Sequence, residues 1–349
     1  MEPWQIILQN SITTLDGLQE HLECDSNALL DVIANFPMRI NPYFLKLIEH
    51  PGDPIWKQAV PDLAEINDGI CEMDPLDEEN LSPVPNLVHK YPDRVLFLVS
   101  NQCAMYCRFC TRNRKVGTEK MKISPATLNA GYDYMQHHPE IREVLISGGD
   151  PLLLPDEEIS AILEKLRSIP SIEIIRIGTR VPSVLPMRIT ENLVTILKAH
   201  HPLYINTHFN HPNEITPESS LACTMLADAG IPVGCQTVLL KGVNDNAQTL
   251  KTLFLGLLRI RVKPYYLFQA DLTKGTNHFR TPTKTGIAIM RQLYGHISGM
   301  AIPTYALDGP KGKGKIPLTP QYILEHGDTL IFENYKGEVC TYPEAGESC

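Results

Sequence analysis

The sequence predicts an α/β chain: a partial (β/α) barrel preceded by a helical segment and followed by a terminal hairpin. Three observations carry that expectation. From about residue 93, short apolar, β-rich runs alternate with segments of helical length. The residues least suited to a core fall at the ends of those runs, where a barrel gathers its chemistry. Residues 1–92 have a different texture, with helix-like stretches separated by turn-rich pieces.

Taken in order, residues 1–92 contain SITTLDGLQEHLE and NPYFLKLIEH, split by turn signals such as HPGDP. MDPLDEENLSPVPN (73–86) has three prolines and four acids and reads as a wrapped linker. The strand candidates follow: VLFLVS (95–100), EVLISGG (143–149), EIIRIGTR (173–180), LYINTHF (203–209), VGCQTVLL (233–240), PYYLFQ (264–269) and AIPTYAL (301–307). Between them lie helix candidates such as DEEISAILEKLRSI, ESSLACTMLADAG and TKTGIAIMRQLYGHI. Such alternation makes βα units and a parallel sheet. Residues 93–310 therefore form the barrel unit. Residues 311–349 hold a lysine-rich loop and two strands, TLIFEN and EVCTYPE, around a YKG turn.

Composition narrows the function. The chain has 349 residues, 43% apolar and 20% charged, which excludes wholesale disorder. Its 31 basic and 40 acidic residues give a net charge of −9, a poor basis for non-specific nucleic-acid binding. No apolar run approaches the roughly 18 residues of a membrane span. The start, MEPWQIILQNSITTLDG, lacks a basic region and cleavage site, so a cytoplasmic location is expected. Nine cysteines is an odd count for a disulfide framework. Six stand alone: Cys24, Cys71, Cys223, Cys235, Cys340 and Cys349.

Cys103, Cys107 and Cys110 instead form a CxxxCxxC directly after the first run. Three thiolates in one loop can ligate three irons of a [4Fe–4S] cluster and leave the fourth open to a small molecule. Zinc is the rival, but structural zinc usually takes four protein ligands, and no partner pair is evident.

This motif, with Phe109 before the third cysteine, resembles the signature of radical S-adenosylmethionine enzymes. ISGGDPL (146–152) resembles that superfamily's glycine-rich stretch, implying S-adenosylmethionine contacts at Gly148, Gly149 and Asp150. YPDRVLFLVSNQCAMYCRFCTRNR, INTHFNHPNE, ADLTKGTNHFRTP and the DGPKGKGK loop resemble the lysine 2,3-aminomutase family in order and spacing, from about residue 37 onward. The short length resembles the compact bacterial branch that makes β-lysine for elongation factor P.

The resemblance implies pyridoxal 5′-phosphate carried on Lys315, although the loop also inserts Lys311 and Lys313 where the family is commonly glycine. It implies Arg94 and Tyr91, with Lys90 behind them, near that coenzyme. It implies Arg112 on the substrate carboxylate, Asp271 and Asp308 on the distal ammonium, and His208 and Gln236 toward S-adenosylmethionine. The ordinary alternatives are a solvated basic loop, a loop arginine, turn-capping aspartates and a hydrogen-bonded structural histidine. Arg108 and Arg114 read as ordinary loop arginines.

The activity implied is isomerisation of L-lysine to β-lysine, with an external one-electron reductant and neither nucleic acid nor membrane as partner; a homo-oligomer is compatible with it. The competing expectations are the same chemistry on glutamate or arginine, and a non-catalytic iron–sulfur or zinc protein.

Overall fold

The structure is a computed structural model that describes residues 2–23 and 26–345; Cys24 and Cys349 lie outside the described residues. Nine strands form one sheet in sequence order: β1 (Leu87–Tyr91), β2 (Arg94–Ser100), β3 (Glu143–Gly148), β4 (Ile174–Gly178), β5 (Leu203–Thr207), β6 (Val233–Leu239), β7 (Lys263–Gln269), β8 (Thr304–Gly309) and β9 (Gly314–Pro317). β2 through β8 pair in parallel, and β1 and β9 flank them antiparallel. The expected partial barrel is present. β1 and β9 fall outside the 93–310 division yet pair with its edge strands. Their ends meet where the Lys315 N–H donates to the Tyr91 hydroxyl at 3.1 Å.

Parallel strands are covered on both faces, so apolar side chains dominate them. In β6, Val233, Cys235, Thr237 and Leu239 are the buried positions, alternating with half-buried ones. Helices pack outside. Asp156–Arg167 buries Ile159, Ile162, Leu163 and Leu166 along one stripe. Its acids, Asp156, Glu157 and Glu158, sit in the first turn and Lys165 and Arg167 in the last, complementing the helix dipole. A second apolar core joins the N-terminal helices to the barrel: Trp4, Leu18, Val32, Phe44 and Ile55 pack with Ala104 and Met105 of the cysteine loop.

Residues 73–86, read as a linker, are a strap across the mouth of the barrel. The neighbouring Glu72 N–H donates to the Leu272 carbonyl at 2.8 Å, and the Lys311 N–H donates to the Pro75 carbonyl at 2.7 Å. The terminal hairpin gains a third strand: β10 (Ile323–His326) precedes β11 (Thr329–Glu333) and β12 (Val339–Pro343). Among the described residues, no helix is long and apolar enough to cross a membrane.

Candidate active site

The cysteine loop begins where β2 ends. Cys103, Cys107 and Cys110 line one cleft, together with Met105, Tyr106 and Asn113. Long-range bonds hold the loop. The Tyr106 N–H donates to the Arg39 carbonyl and the Arg108 N–H to the Gln58 carbonyl, each at 3.0 Å. Arg108 is buried: its Nε donates to Glu65 Oε1 at 2.9 Å, and its other nitrogens reach the Phe36 and Pro37 carbonyls. It is a structural anchor rather than an ordinary loop arginine. Phe109 is wedged between the rings of His208 and Phe279.

The three thiols suit a metal centre. Burial pushes Cys103 well above the usual thiol range and Cys110 up to about 11, and the neighbouring sulfurs repel one another. Such a group ionises readily only beside compensating positive charge. Cys107 Sγ accepts from Arg180 Nη1 at 2.8 Å, and Cys110 Sγ from the Arg112 N–H at 3.4 Å. Among the described residues no group of His, Cys, Asp and Glu is arranged to hold a single metal ion. Three thiols in one cleft match the three protein ligands of a [4Fe–4S] cluster, whereas structural zinc usually takes four.

The glycine-rich turn presses against this loop through backbone. The Gly149 N–H donates to the Ser100 carbonyl and the Asp150 N–H to the Gln102 carbonyl, both at 2.6 Å. A Cβ on Gly148 would lie 2.1 Å from the Ser100 carbonyl oxygen, and one on Gly149 2.3 Å from that of Gln102. Only glycine permits that approach. The buried Asp150 carboxylate accepts from the Thr179 hydroxyl and the Arg180 and Leu152 N–H groups. Its side chain thus fixes the turn. His208 bonds Asn210 Oδ1 through Nε2 at 2.9 Å. Burial, then the Arg180 charge, pushes His208 down to about 3, so its ring is neutral. Gln236 lies on β6 opposite Tyr266 of β7.

The second half of the site lies where β7, β8 and β9 end or begin. Asp308 Oδ1 accepts from Lys90 Nζ at 2.5 Å and Oδ2 from Lys315 Nζ at 3.2 Å. Lys315 Nζ also sits 5.7 Å from the Tyr91 ring centre and 5.5 Å from that of Phe268. The Arg94 guanidinium stacks on Tyr91 at 4.0 Å. Burial, and then the charge of Asp308, push the Asp271 carboxyl up to about 7, while Lys315 and Lys90 pull it down. Two carboxyls and two ammonium groups therefore form one cluster, beside the flat Tyr91 and Phe268 rings that suit a pyridine ring.

Arg112 is held by a residue the linker reading overlooked. Glu78 of the strap takes the Nε/Nη2 edge of its guanidinium, at 3.0 and 2.6 Å. Arg114, read as an ordinary loop residue, is buried against Asp74 and Glu79 of the same strap. Sequence reasoning also passed over Arg180, which reaches Cys107 from the end of β4. Acids interleaved with prolines at 73–86 were the available signal for the strap; nothing local marked Arg180.

Residues 97–253 match the Radical SAM superfamily, and residues 290–349 match the family described as Lysine-2,3-aminomutase. The chain is 46% identical to the L-lysine 2,3-aminomutase of Clostridium subterminale over 98% of its length and 84% of that protein's. It is 48% identical to the L-lysine 2,3-aminomutase of Methanococcus maripaludis, over 99% of this chain and 81% of the relative. It is also 43% identical to the glutamate 2,3-aminomutase of Clostridioides difficile, over 96% and 81% respectively.

Proposed function

The chain belongs to the lysine 2,3-aminomutase family of radical S-adenosylmethionine enzymes, and from that premise we propose that it isomerises L-lysine to β-lysine. Amino-group migration is the family's reaction; the choice of lysine is the finer reading. When bound, the cluster with S-adenosylmethionine supplies a hydrogen-abstracting radical, and pyridoxal phosphate supplies electron delocalisation at the migrating nitrogen.

The protein's own residues must hold these groups in register and exclude water. Cys103, Cys107 and Cys110 hold the cluster and Lys315 the coenzyme, with Tyr91 and Arg94 beside it. The Gly148–Asp150 turn, His208 and Gln236 border S-adenosylmethionine. Arg112 keeps an end-on edge free, because Nη1 has no bonding partner among the described residues while Glu78 occupies the other edge. That edge matches a carboxylate bidentately.

The observation that carries the lysine reading is the acid pair. Asp308 already accepts two alkylammonium groups, and Asp271 lies beside it. A substrate ammonium fits the same oxygens. A glutamate side chain would bring a third carboxylate to the pair, so the relative that acts on glutamate is the weaker guide despite similar identity. The test is to supply reconstituted, reduced enzyme with lysine, arginine and glutamate and to resolve the products; turnover of glutamate alone would refute the assignment. The resemblance to compact bacterial members supports the further reading that the product is used to modify elongation factor P. The mass of that factor in cells lacking this chain checks the reading: retention of the β-lysyl mass would exclude it.

A further inference from the structure

We infer that Arg180 is a positioning residue for the iron–sulfur cluster, donating a charged hydrogen bond to the Cys107 sulfur and thereby raising the cluster's reduction potential. The inference rests on Cys107 being a cluster ligand.

Arg180 follows β4 by two positions, and its own N–H is fixed on Asp150 Oδ2 at 2.7 Å. Its Nη1 lies 2.8 Å from Cys107 Sγ. Its Nη2 donates to Gln58 Oε1 at 2.6 Å and to Glu214 Oε2 at 3.0 Å. Gln58 and Glu214 bond each other at 3.1 Å, and both are fully buried. The guanidinium is also flanked by the Phe109 and Phe44 rings, 5.1 and 5.6 Å away. With 8% of the residue exposed, this arginine contributes nothing to solubility. The Gln58 and Glu214 bonds hold Nη2, and Nη1 is set against the sulfur.

Reduction adds an electron to a cluster whose charge is delocalised onto its ligand sulfurs. A donor aimed at one of them, in a water-poor site, favours the reduced state, and hydrogen bonds to sulfur are a principal control of such potentials. Glu214 partly offsets the arginine charge, so the two residues act in opposite directions.

The experiment is a reductive titration of the full-length, reconstituted protein followed by electron paramagnetic resonance, without substrate, on wild type, Arg180→Gln, Arg180→Lys and Glu214→Gln. Iron content and melting temperature are measured alongside. Arg180→Gln is expected to keep its iron and to reduce about tenfold less favourably, which is 59 mV more negative for a one-electron couple. Arg180→Lys should recover part of that shift. Glu214→Gln should shift the potential the other way. A wild-type potential in iron-replete Arg180→Gln overturns the inference. If that variant fails to hold iron, Glu214→Gln decides: a less negative potential supports the inference and an unchanged one overturns it. Cys107→Ala separates the underlying reading, because full iron retention there would remove Cys107 from the ligand set.

Discussion

Replacing Asp308 by Asn keeps the side chain's shape and removes one charge from the pocket proposed to select lysine. Asp308 is 12% exposed at its side chain and holds two ammonium groups at 2.5 and 3.2 Å. Losing a charge partner from a largely desolvated ion site costs about 2–5 kcal/mol, much of it from the charge left behind. Here the lower end applies. The Asp308 charge helps push Asp271 up to about 7, so its removal lets Asp271 ionise more fully and take over part of the role. At about 2 kcal/mol, kcat/KM for lysine falls roughly thirtyfold. The assay compares lysine with norleucine, which has the same chain length and no distal ammonium, at equal iron and coenzyme loading. Norleucine turnover should change little in Asp308→Asn. An equal fall on both substrates would mean that Asp308 serves the coenzyme or the fold, and the lysine reading would lose its carrying observation.

Other outcomes follow from the same geometry. Because Asp271 must be ionised to hold an ammonium, kcat/KM for lysine should rise as pH increases through about 7, and Asp271→Asn should abolish that ionisation; an unchanged profile in the mutant contradicts the assignment. The same raised carboxyl contributes stability that is fully present below its unfolded value near 4 and lost as pH climbs through about 7, so chemical denaturation should show less loss in Asp271→Asn than in wild type between about pH 4 and 7. Lys315→Ala should remove the borohydride-fixed coenzyme label while Lys311→Ala and Lys313→Ala keep it, and peptide mapping that finds the label on Lys313 would move the assignment. Gly149→Ala forces a Cβ against the Gln102 backbone and should cost about 1–3 kcal/mol with poorer iron uptake, measured by denaturation and iron analysis; a wild-type result would show that the turn and loop are not tightly joined.

The strands were legible because their apolar, β-branched runs are bounded by turn residues, and the seven expected runs correspond to β2–β8. The helix Ala247–Arg259 went unremarked, although it buries Leu250, Leu253, Phe254 and Leu257 on one stripe. β1 and β9 were missed because each is short and half polar, and its strand character comes from pairing at a sheet edge. For the site, sequence spacing grouped the cysteines, since they lie within one loop. It could not bring Glu78 to Arg112, 34 residues apart, or Arg180 to Cys107, 73 residues apart. Those pairs depend on how strap, loop and strand ends converge in space. The segment at 73–86 reads as a linker because nothing local shows that Arg112 and Arg114 lie beneath its acids.

The most direct test of the account is a competition. Anaerobically reconstituted enzyme, with S-adenosylmethionine, pyridoxal phosphate and a one-electron reductant, is given equal lysine, arginine and glutamate, and the amino-acid products are separated by chiral chromatography. The acid pair at Asp271 and Asp308 predicts β-lysine as the dominant product. A dominant β-glutamate product would contradict it.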